Sequence, residues 1–392
     1  MEQQHQGETK IERGKKLVEQ VLKKIGNKIL SEIADERYEE EYPDLLSGMK
    51  AFLPIAYQDT NEQQYIQALL FAAQTSFENG LYQFACIQYH MQFMTAVYFV
   101  LLKLYHLHTD EVDKALFYLL KKERKKDFDS RENTKNGKLY FGSFAIIPES
   151  DVFLLLRIMG MSDSLLDDLQ KRVVLRNKFA HANGNLMLTS DELFAEEIGK
   201  YDDAIEKTTN LIKNDIIELY KDTITAPDFY DPEIRGYMEP EEQILEGFIR
   251  ANSISLFELN WLRKIQAKDF DKMEGARHIK DLHYALCHFY DMATLDDPDY
   301  SPINDEYYRH KYKNNARDFA GIILGYDSMI SVQGYPIYYP ISICPNCKEN
   351  QLVTDHATKC SYCFSCGKTY DTEEYNHEDE DRMSDDSIEE SD

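Results

Sequence analysis

The sequence predicts a mainly α-helical protein made of a helical bundle, a second mostly helical module and a small β segment near the C-terminus. Three observations carry this prediction. Apolar residues recur at helical spacing through most of the chain, the run from Tyr82 to His106 is apolar around much of its surface, and two Cys-x-x-Cys pairs end β-prone stretches. With 392 residues, 43% of them apolar, the chain has the length for two or three domains with real cores.

The overall composition indicates a soluble, cytoplasmic protein with no membrane partner. The segment from Met1 to Lys10 is polar and lacks signal-peptide character, and the longest apolar run, Phe93 to Leu102, is too short to span a bilayer. Five of the seven cysteines lie between 344 and 366, which favours metal binding in a reducing compartment over a disulfide framework. The formal net charge of −26 argues against broad nonspecific adhesion to nucleic acid.

Residues 1–59 are predicted to form an amphipathic helix and a connector. The apolar residues of this helix recur at spacings of three, four and seven, and they are Ile11, Val18, Leu22, Ile25 and Ile29. The helix packs either on the bundle or on a partner. The acidic stretch 36–41, with prolines nearby, reads as the connector.

Residues 60–225 are predicted to form the bundle. Gly80 is placed to end its first helix, and 82–106 is expected to be its central helix. Asp163 is expected to cap a later helix. The residues predicted for the buried side of that helix are Leu165, Leu166, Leu169 and Val173. A last helix is expected over 192–223. The prolines that then mark a domain boundary are Pro227, Pro232 and Pro240.

The candidate catalytic residues are Arg176, Asn177 and His181, in the last turns of a helix stopped by Asn183-Gly184. An arginine can fork two hydrogen bonds onto a phosphate, and a histidine can pass protons between a ribose hydroxyl and a leaving oxygen near neutral pH. Asn177 and His181 are i,i+4 neighbours, so the amide can fix the imidazole tautomer. These residues are a minimal set for cleaving RNA without a metal.

The same stretch has a purely structural interpretation. A histidine near a helix C-terminus suits the helix dipole, and Asn-Gly is an ordinary helix stop. Phe179 and Ala180 would then belong to the core, and Arg176 would be a solvated side chain.

The pattern Arg-Asn-x-x-x-His at 176–181 resembles the signature of HEPN-domain ribonucleases. Its setting is similar as well, because 68–73, 78–82 and the helix that follows resemble the first two HEPN helices and their short turn. The resemblance covers residues 60–222. It implies a metal-independent endoribonuclease in which the ribose 2′-hydroxyl attacks the adjacent phosphorus, leaving a 2′,3′-cyclic phosphate and a 5′-hydroxyl.

The resemblance also implies roles and partners. His181 would act as general acid or base, Arg176 would stabilise the phosphorane charge, and Asn177 would orient the phosphate or contact it. The substrate would be RNA, either tRNA or mRNA, and the active site would form across a homodimer. The biological role implied is a toxin or antiviral defence effector, restrained or activated by a partner protein.

A basic stretch lies between the central helix and the motif helix, and it has two interpretations. It is either a solvated charged face or a track for the RNA backbone. Its basic residues are Lys121, Lys122, Arg124, Lys125, Lys126, Arg131, Lys135 and Lys138.

Residues 226–340 are predicted to form a second helical module whose role the sequence does not reveal. Helices are indicated around Ile244 to Leu262 and over 278–292, and 296–308 reads as a loop. The chain contains 27 tyrosines, which either stack on bases or, more commonly, pack in cores and interfaces. The tyrosines considered for base stacking are Tyr307, Tyr308, Tyr312, Tyr338 and Tyr339.

Residues 341–370 are predicted to form a zinc ribbon. The ligands expected for one structural Zn²⁺ are Cys344, Cys347, Cys363 and Cys366. Four thiolates close the tetrahedral shell and leave no open position for hydrolysis. Two alternatives stay open at this point, because Cys360 forms another Cys-x-x-Cys with Cys363 and because His356 could replace a cysteine.

Residues 371–392 are acidic and are predicted to be a disordered tail that solubilises the protein or guards a basic surface. Two rival functions are compatible with the sequence. The protein could be a non-catalytic helical scaffold, or it could be a zinc-ribbon protein that binds nucleic acid or regulates a partner.

Overall fold

A computed structural model describes residues 47–180, 188–236, 238–294, 303–313, 315–316, 318–319, 341–349, 351–355 and 360–371. The fold is mainly α-helical, with a small antiparallel sheet near the C-terminus, as the sequence predicts. The contacts divide the chain into two compact units, 1–214 and 215–392. The predicted N-terminal helix and nearly all of the acidic tail lie outside the described residues.

The first unit is built from eight helices within its described part. They are α1 (Ser47–Lys50), α2 (Thr60–Glu78), α3 (Tyr82–Leu107), α4 (Thr109–Leu119), α5 (Lys122–Phe128), α6 (Glu149–Ile158), α7 (Asp163–Ala180) and α8 (Asp191–Thr209). Short 3₁₀ turns connect them at Arg131–Asn133, Phe141–Ile146 and Asn210–Ile212.

The central helix of the first unit is α3, as predicted. It packs against α2, α4, α7, α8 and the 141–146 turn, and its buried residues point in every direction around its axis. By length and composition α3 could cross a membrane, but 78% of its most apolar window is buried in the protein, as in the core helix of a soluble protein. Gly80 has φ 68° between α2 and α3, a left-handed conformation that ends α2 where the sequence predicts.

Helix α7 begins differently from the prediction. Ser162, not Asp163, caps it, because the Ser162 Oγ accepts a hydrogen bond of 3.3 Å from the Leu165 amide. Asp163 is the first residue of the helix, and its carboxylate accepts a 2.5 Å hydrogen bond from Arg157 at the end of α6. Leu165 and Leu169 are buried as predicted, whereas Leu166 and Val173 are only half-buried.

The second unit contains most of α9 (Lys213–Thr225), which the sequence predicts as the end of one long helix beginning near 192. A 3₁₀ turn at Asn210–Ile212 separates it from α8. The remaining helices are α10 (Pro227–Tyr230), α11 (Pro240–Ile244), α12 (Leu256–Leu262), α13 (Ala276–Ala293) and α14 (Glu306–Lys311), with a π turn at Leu245–Arg250 and a 3₁₀ turn at Ala267–Phe270. Helix α14 occupies part of the predicted loop 296–308.

The sheet has four antiparallel strands in sequential order. They are β1 (Ile341–Ser342), β2 (Leu352–Asp355), β3 (Cys360–Cys363) and β4 (Thr369–Asp371). Leu352 pairs with Cys363 and Asp355 with Cys360, which fixes the register of the two central strands. One face of the sheet packs Val353 and Phe364 against Ile303, Ala316 and Phe319.

Candidate functional site

One face of helix α7, which carries Arg176 and Asn177, changes from apolar to positively charged along its length. Leu165, Leu169, Arg172 and Arg176 follow one another at spacings of four, three and four, which places them on a single stripe. The first two pack in the core as buried apolar residues. The two arginines continue the stripe as half-buried cations, and each is paired with a carboxylate. The Arg172 Nη1 lies 2.8 Å from the Glu197 Oε2 on α8.

Arg176 is paired with Glu149, the first residue of α6. The Arg176 Nη2 donates to the Glu149 Oε1 at 2.5 Å, and the negative charge of Glu149 is favoured at this helix N-terminus. The Arg176 Nε and the Glu149 Oε2 are buried and have no hydrogen-bond partner among the described residues. The guanidinium has five N–H donors, so this ion pair uses only part of its hydrogen-bonding capacity.

Glu149 also contacts His90, which is 2% exposed on the central helix α3. The His90 Nε2 lies 3.4 Å from the Glu149 Oε1, and the His90 Nδ1 lies 3.2 Å from the Tyr201 hydroxyl. Because a carboxylate can only accept, Nε2 carries the proton, and Tyr201 then donates to Nδ1. Burial lowers the pKa of His90, so this imidazole is neutral at neutral pH.

The carboxyl of Glu149 is ionised in this setting. Burial opposes its ionisation, but the hydrogen bonds from His90 and Arg176 outweigh burial and lower its pKa below the usual value. Tyr201, His90, Glu149 and Arg176 thus form one polar chain, which leads from the core to the surface and holds the guanidinium in place.

Arg176 opens onto a groove of about 630 Å³ in the first unit. The groove is of the size that binds a small ligand. Residues from α2, α3, α7, the 135–145 segment and the start of α6 line it. The polar and aromatic residues of this lining include Glu62, Tyr65, His90, Tyr98, Lys135, Tyr140, Phe141, Glu149 and Arg176.

Lys135 is a second cation in the groove, and it is also paired. Its Nζ lies 3.0 Å from the Asp59 Oδ2, 3.4 Å from the Glu62 Oε1 and 4.5 Å from the centre of the Tyr140 ring. Burial raises the pKa of Glu62, although Lys135 opposes this shift. Each cation of the groove therefore has carboxylates beside it.

The structure describes two of the three predicted catalytic residues, Arg176 and Asn177. Arg176 lines the groove, whereas Asn177 is half-buried and does not line it. His181 lies outside the described residues, as does the predicted helix stop at 183–184. Ala180, which directly precedes His181, is exposed and lines the groove.

Sequence reasoning missed Glu149, His90 and the aromatic residues of the groove. Glu149 directly follows Pro148, and this pair is a common helix start, so its position at a helix N-terminus could have been found. Its contact with Arg176 spans 27 positions, and no local pattern encodes that pairing.

The basic stretch 121–138 is not one uniform surface. Most of its basic residues are exposed, and four of them lie on the short helix α5. Lys125 instead forms ion pairs with Asp113 and Asp129, and Lys135 points into the groove.

The tyrosines considered for base stacking pack within the second unit where the structure describes them. Tyr307 is 4% exposed and stacks on His288 with ring centres 4.6 Å apart. Tyr308 and Tyr312 pack against the cluster that contains Phe319. Tyr338 and Tyr339 lie outside the described residues.

The four cysteines predicted as metal ligands come together. Their sulfur atoms all lie within 4.8 Å of one another, with 3.7 Å between Cys344 and Cys366 and 3.5 Å between Cys347 and Cys363. Four thiolates at about 2.3 Å from one Zn²⁺ in a tetrahedron have their sulfurs about 3.8 Å apart. The cluster therefore fits a metal ion such as zinc.

The other candidates for this cluster are placed differently. Side chains alternate across a strand, so Cys360 and Cys363, at opposite ends of β3, point to opposite faces of the sheet. Cys360 packs on the side of Phe319, away from the cluster. His356 lies outside the described residues. The Tyr370 hydroxyl lies 3.2 Å from the Cys344 sulfur and supports that ligand from outside the cluster.

Comparison of the chain with protein-family models, with curated proteins and with solved structures finds no match, so an assignment of function rests on the residues themselves.

Proposed function

We propose that the first unit is a metal-independent endoribonuclease of the HEPN type. The observation that carries the proposal is the position of Arg176 in an open groove whose lining also includes Ala180, the residue before His181. A guanidinium beside a histidine is the smallest set that can stabilise a phosphorane and move protons. The groove is large enough for a nucleotide.

In the proposed reaction the 2′-oxygen forms a bond to phosphorus and the bond from phosphorus to the 5′-oxygen breaks. The products are a 2′,3′-cyclic phosphate and a 5′-hydroxyl. His181 moves a proton as general acid or base, and Arg176 stabilises the charge on the phosphorane oxygens. Asn177 orients the phosphate or the imidazole. The polar chain through Glu149 and His90 fixes the guanidinium before the substrate arrives.

One Arg-His pair supplies few catalytic groups, so we propose that two copies form a homodimer that brings two such pairs together. RNA, either tRNA or mRNA, is the proposed substrate, and toxin or antiviral defence activity in the cytoplasm is the proposed role. A partner protein that restrains or enhances this nuclease in the cell is proposed as well, and the purified chain is expected to cleave RNA without it.

The cysteine cluster is proposed to bind one structural Zn²⁺ in a zinc ribbon. Four thiolates that lie within 4.8 Å of one another would fill a tetrahedral shell, so the ion would stabilise the fold of the sheet and would not take part in cleavage. Cys344, Cys347, Cys363 and Cys366 would hold it.

The proposal is tested by incubating the purified full chain with mixed cellular RNA, including tRNA, in excess EDTA. We compare the wild type with His181→Ala, Arg176→Lys and Arg172→Lys. Arg172 is the matched control, because it lies one turn earlier on the same stripe, is ion-paired in the same way and does not line the groove. We expect cyclic-phosphate ends from the wild type and from Arg172→Lys, and a loss of about 100-fold or more in the other two.

The rival function is a non-catalytic scaffold, favoured by the ion pair that already gives Arg176 a structural role. It predicts no cleavage by any variant and equal binding of a partner by wild type and His181→Ala. A third reading, nucleic-acid binding by the ribbon, predicts that Cys363→Ser abolishes RNA binding while Arg176→Lys leaves it unchanged.

A further inference from the structure

Aromatic side chains form a large part of the groove that contains Arg176. Phe141 is buried in its wall, and two tyrosines pack on it. Tyr65 lies stacked at 6.2 Å between ring centres and Tyr140 lies edge-on at 5.8 Å. Tyr65 is 42% exposed, so much of its ring remains available to a ligand. Tyr98 from α3 lines the same groove.

The position of Tyr140 is fixed by its neighbours. Its ring covers Gly142 so closely that a Cβ at that position would lie 2.5 Å from the ring, so a larger residue there would displace the ring. The Tyr140 amide donates to the Ser143 Oγ at 3.1 Å, and Ser143 donates to the Asn133 carbonyl at 2.6 Å. A rigid aromatic wall binds a flat ligand at a lower entropic cost than a mobile one.

The charges of the groove give little net attraction for phosphates. Arg176 is paired with Glu149, and Lys135 lies beside Asp59 and Glu62. The whole chain carries a formal charge of −26. Binding of RNA through its phosphate backbone alone requires several unpaired cations on the protein, because the affinity grows with the number of phosphates that are neutralised. Contacts to a base must therefore supply much of the affinity here.

We propose that this groove is a nucleobase subsite, in which single-stranded RNA places a phosphate at Arg176 and stacks an unpaired base on Tyr65 beside Tyr140. The inference rests on the proposed action of the first unit on RNA. A base inside a duplex is already stacked on both faces, so only an unpaired base can use these rings. Every base has a flat face, so the subsite prefers unpaired RNA over a particular sequence.

The test measures binding by fluorescence anisotropy, with the full-length protein and a labelled 2′-O-methyl RNA hexamer. This RNA has no 2′-hydroxyl and cannot be cleaved by the proposed reaction. A second hexamer of the same length has abasic sites in place of its bases. Tyr65→Leu removes the ring, Tyr65→Phe keeps it, and Tyr118→Leu is the control. Tyr118 is 76% exposed on α4 and does not line the groove.

We expect Tyr65→Leu to lower the affinity for the base-containing hexamer by about 5- to 150-fold, as for the loss of one stacked base. Tyr65→Phe and Tyr118→Leu should stay within about twofold of the wild type. The abasic hexamer should bind weakly to every variant. A plot of the logarithm of affinity against the logarithm of salt concentration should have a slope near −0.7, which corresponds to about one phosphate contact on a single strand.

The inference is overturned if Tyr65→Leu binds the base-containing hexamer as well as Tyr65→Phe does. It is also overturned if the abasic hexamer binds as tightly as the base-containing one with a steep salt slope, which would place RNA on the exposed basic stretch 121–138. Cleavage of the matching ribo-hexamer separates the two proposals. Base-dependent binding without cleavage refutes the nuclease and keeps the subsite, whereas cleavage with no effect of Tyr65→Leu refutes only the subsite.

Discussion

Arg176 on α7 donates a 2.5 Å hydrogen bond from its Nη2 to the Oε1 of Glu149, the first residue of α6. The two side chains are 28% and 21% exposed, so water screens the pair only partly. Because Glu149 also contacts the buried His90, one carboxylate connects α3, α6 and α7 at the edge of the groove. The position of the proposed phosphate-binding arginine thus depends on a residue 27 positions earlier.

Glu149→Ala should lower the free energy of unfolding by about 1–3 kcal/mol at pH 7, because it leaves Arg176 and His90 without an acceptor. The pKa of Glu149 is lowered in the folded protein, so its contribution is present above the unfolded pKa of about 4.3 and is lost as pH falls through the folded pKa. The difference in unfolding free energy between the wild type and Glu149→Ala should therefore shrink towards pH 3. Urea unfolding at pH 7 and at acidic pH measures it.

Asp151→Ala is the matched control for this prediction. Asp151 lies in the same first turn of α6, so its removal costs only the favourable interaction with the helix dipole, about 0.3–1 kcal/mol. If the two variants lose the same amount of unfolding free energy, then the contacts of Glu149 with Arg176 and His90 contribute nothing to stability.

The metal site gives a second prediction, on two cysteines of the same strand. Cys363→Ser should remove bound zinc and unfold the sheet, because the metal and the fold of such a site are coupled. Cys360→Ser should keep one zinc ion per chain, since Cys360 packs on the other face. Zinc content by mass spectrometry of the purified variants measures both. Loss of zinc from Cys360→Ser would show that the wrong cysteine has been assigned.

Local patterns account for what could be predicted from the sequence. Apolar spacing gives the helices, and the central position of α3 follows from its apolar surface. The cysteine spacing gives the cluster, since each pair lies in one tight turn. Ser162 and Asp163 are both good caps by residue type, and only the geometry shows that Ser162 accepts from the Leu165 amide.

The groove could not be predicted because its residues are distant in sequence. Tyr65, His90, Glu149 and Arg176 come from four different helices, and none of them has a local spacing relationship with another. The carboxylates beside Arg176 and Lys135 come from remote positions as well. The sequence thus identifies the arginine as a candidate, but its partners emerge only when the helices pack together.

In the second unit, Tyr220 and His283 give a third prediction. The His283 Nε2 lies 2.8 Å from the Ile265 carbonyl, so it carries the proton, and the Tyr220 hydroxyl then donates to Nδ1 at 2.9 Å. Both side chains are buried. Tyr220→Phe leaves Nδ1 without a donor and should lower the free energy of unfolding by about 1–3 kcal/mol.

Chemical denaturation measures this change. Tyr290→Phe is the control, because Tyr290 is half-buried on α13 and uses its ring to contact Arg263 at 4.0 Å, a contact that phenylalanine keeps. A Tyr220→Phe protein as stable as Tyr290→Phe would show that His283 finds another donor or needs none.

The two turns of the cysteine cluster have the same backbone geometry but different residues, and this difference gives a fourth prediction. The residue after the second cysteine is Lys348 in one turn and Gly367 in the other, with φ of 65° and 73°. In each turn its amide donates to the carbonyl of the first cysteine, at 2.9 Å for Lys348 and 2.8 Å for Gly367. Both positions thus require a left-handed conformation, which costs a residue with a Cβ about 1–2 kcal/mol.

Gly367→Ala should therefore weaken zinc binding by about 2- to 5-fold, because metal affinity includes the free energy of folding the turn and the smaller freedom of alanine in the unfolded chain offsets about 0.5–1 kcal/mol of the left-handed cost. A Cβ at Gly367 would meet the Tyr362 hydroxyl at 3.7 Å, an ordinary contact, so the cost comes from the backbone alone. Lys348→Gly should strengthen binding by a similar factor, since the left-handed cost is removed and the greater freedom of glycine in the unfolded chain offsets about 0.5–1 kcal/mol of that gain.

Competition with a chromophoric zinc chelator measures these affinities, and Lys348→Ala is the control for the lost side chain. Alanine keeps the Cβ in the left-handed conformation, so this variant should match the wild type. If Lys348→Ala and Lys348→Gly bind zinc equally well, then the side chain and not the backbone governs this turn. If Gly367→Ala binds as tightly as the wild type, then the left-handed conformation is not required for the closed cluster.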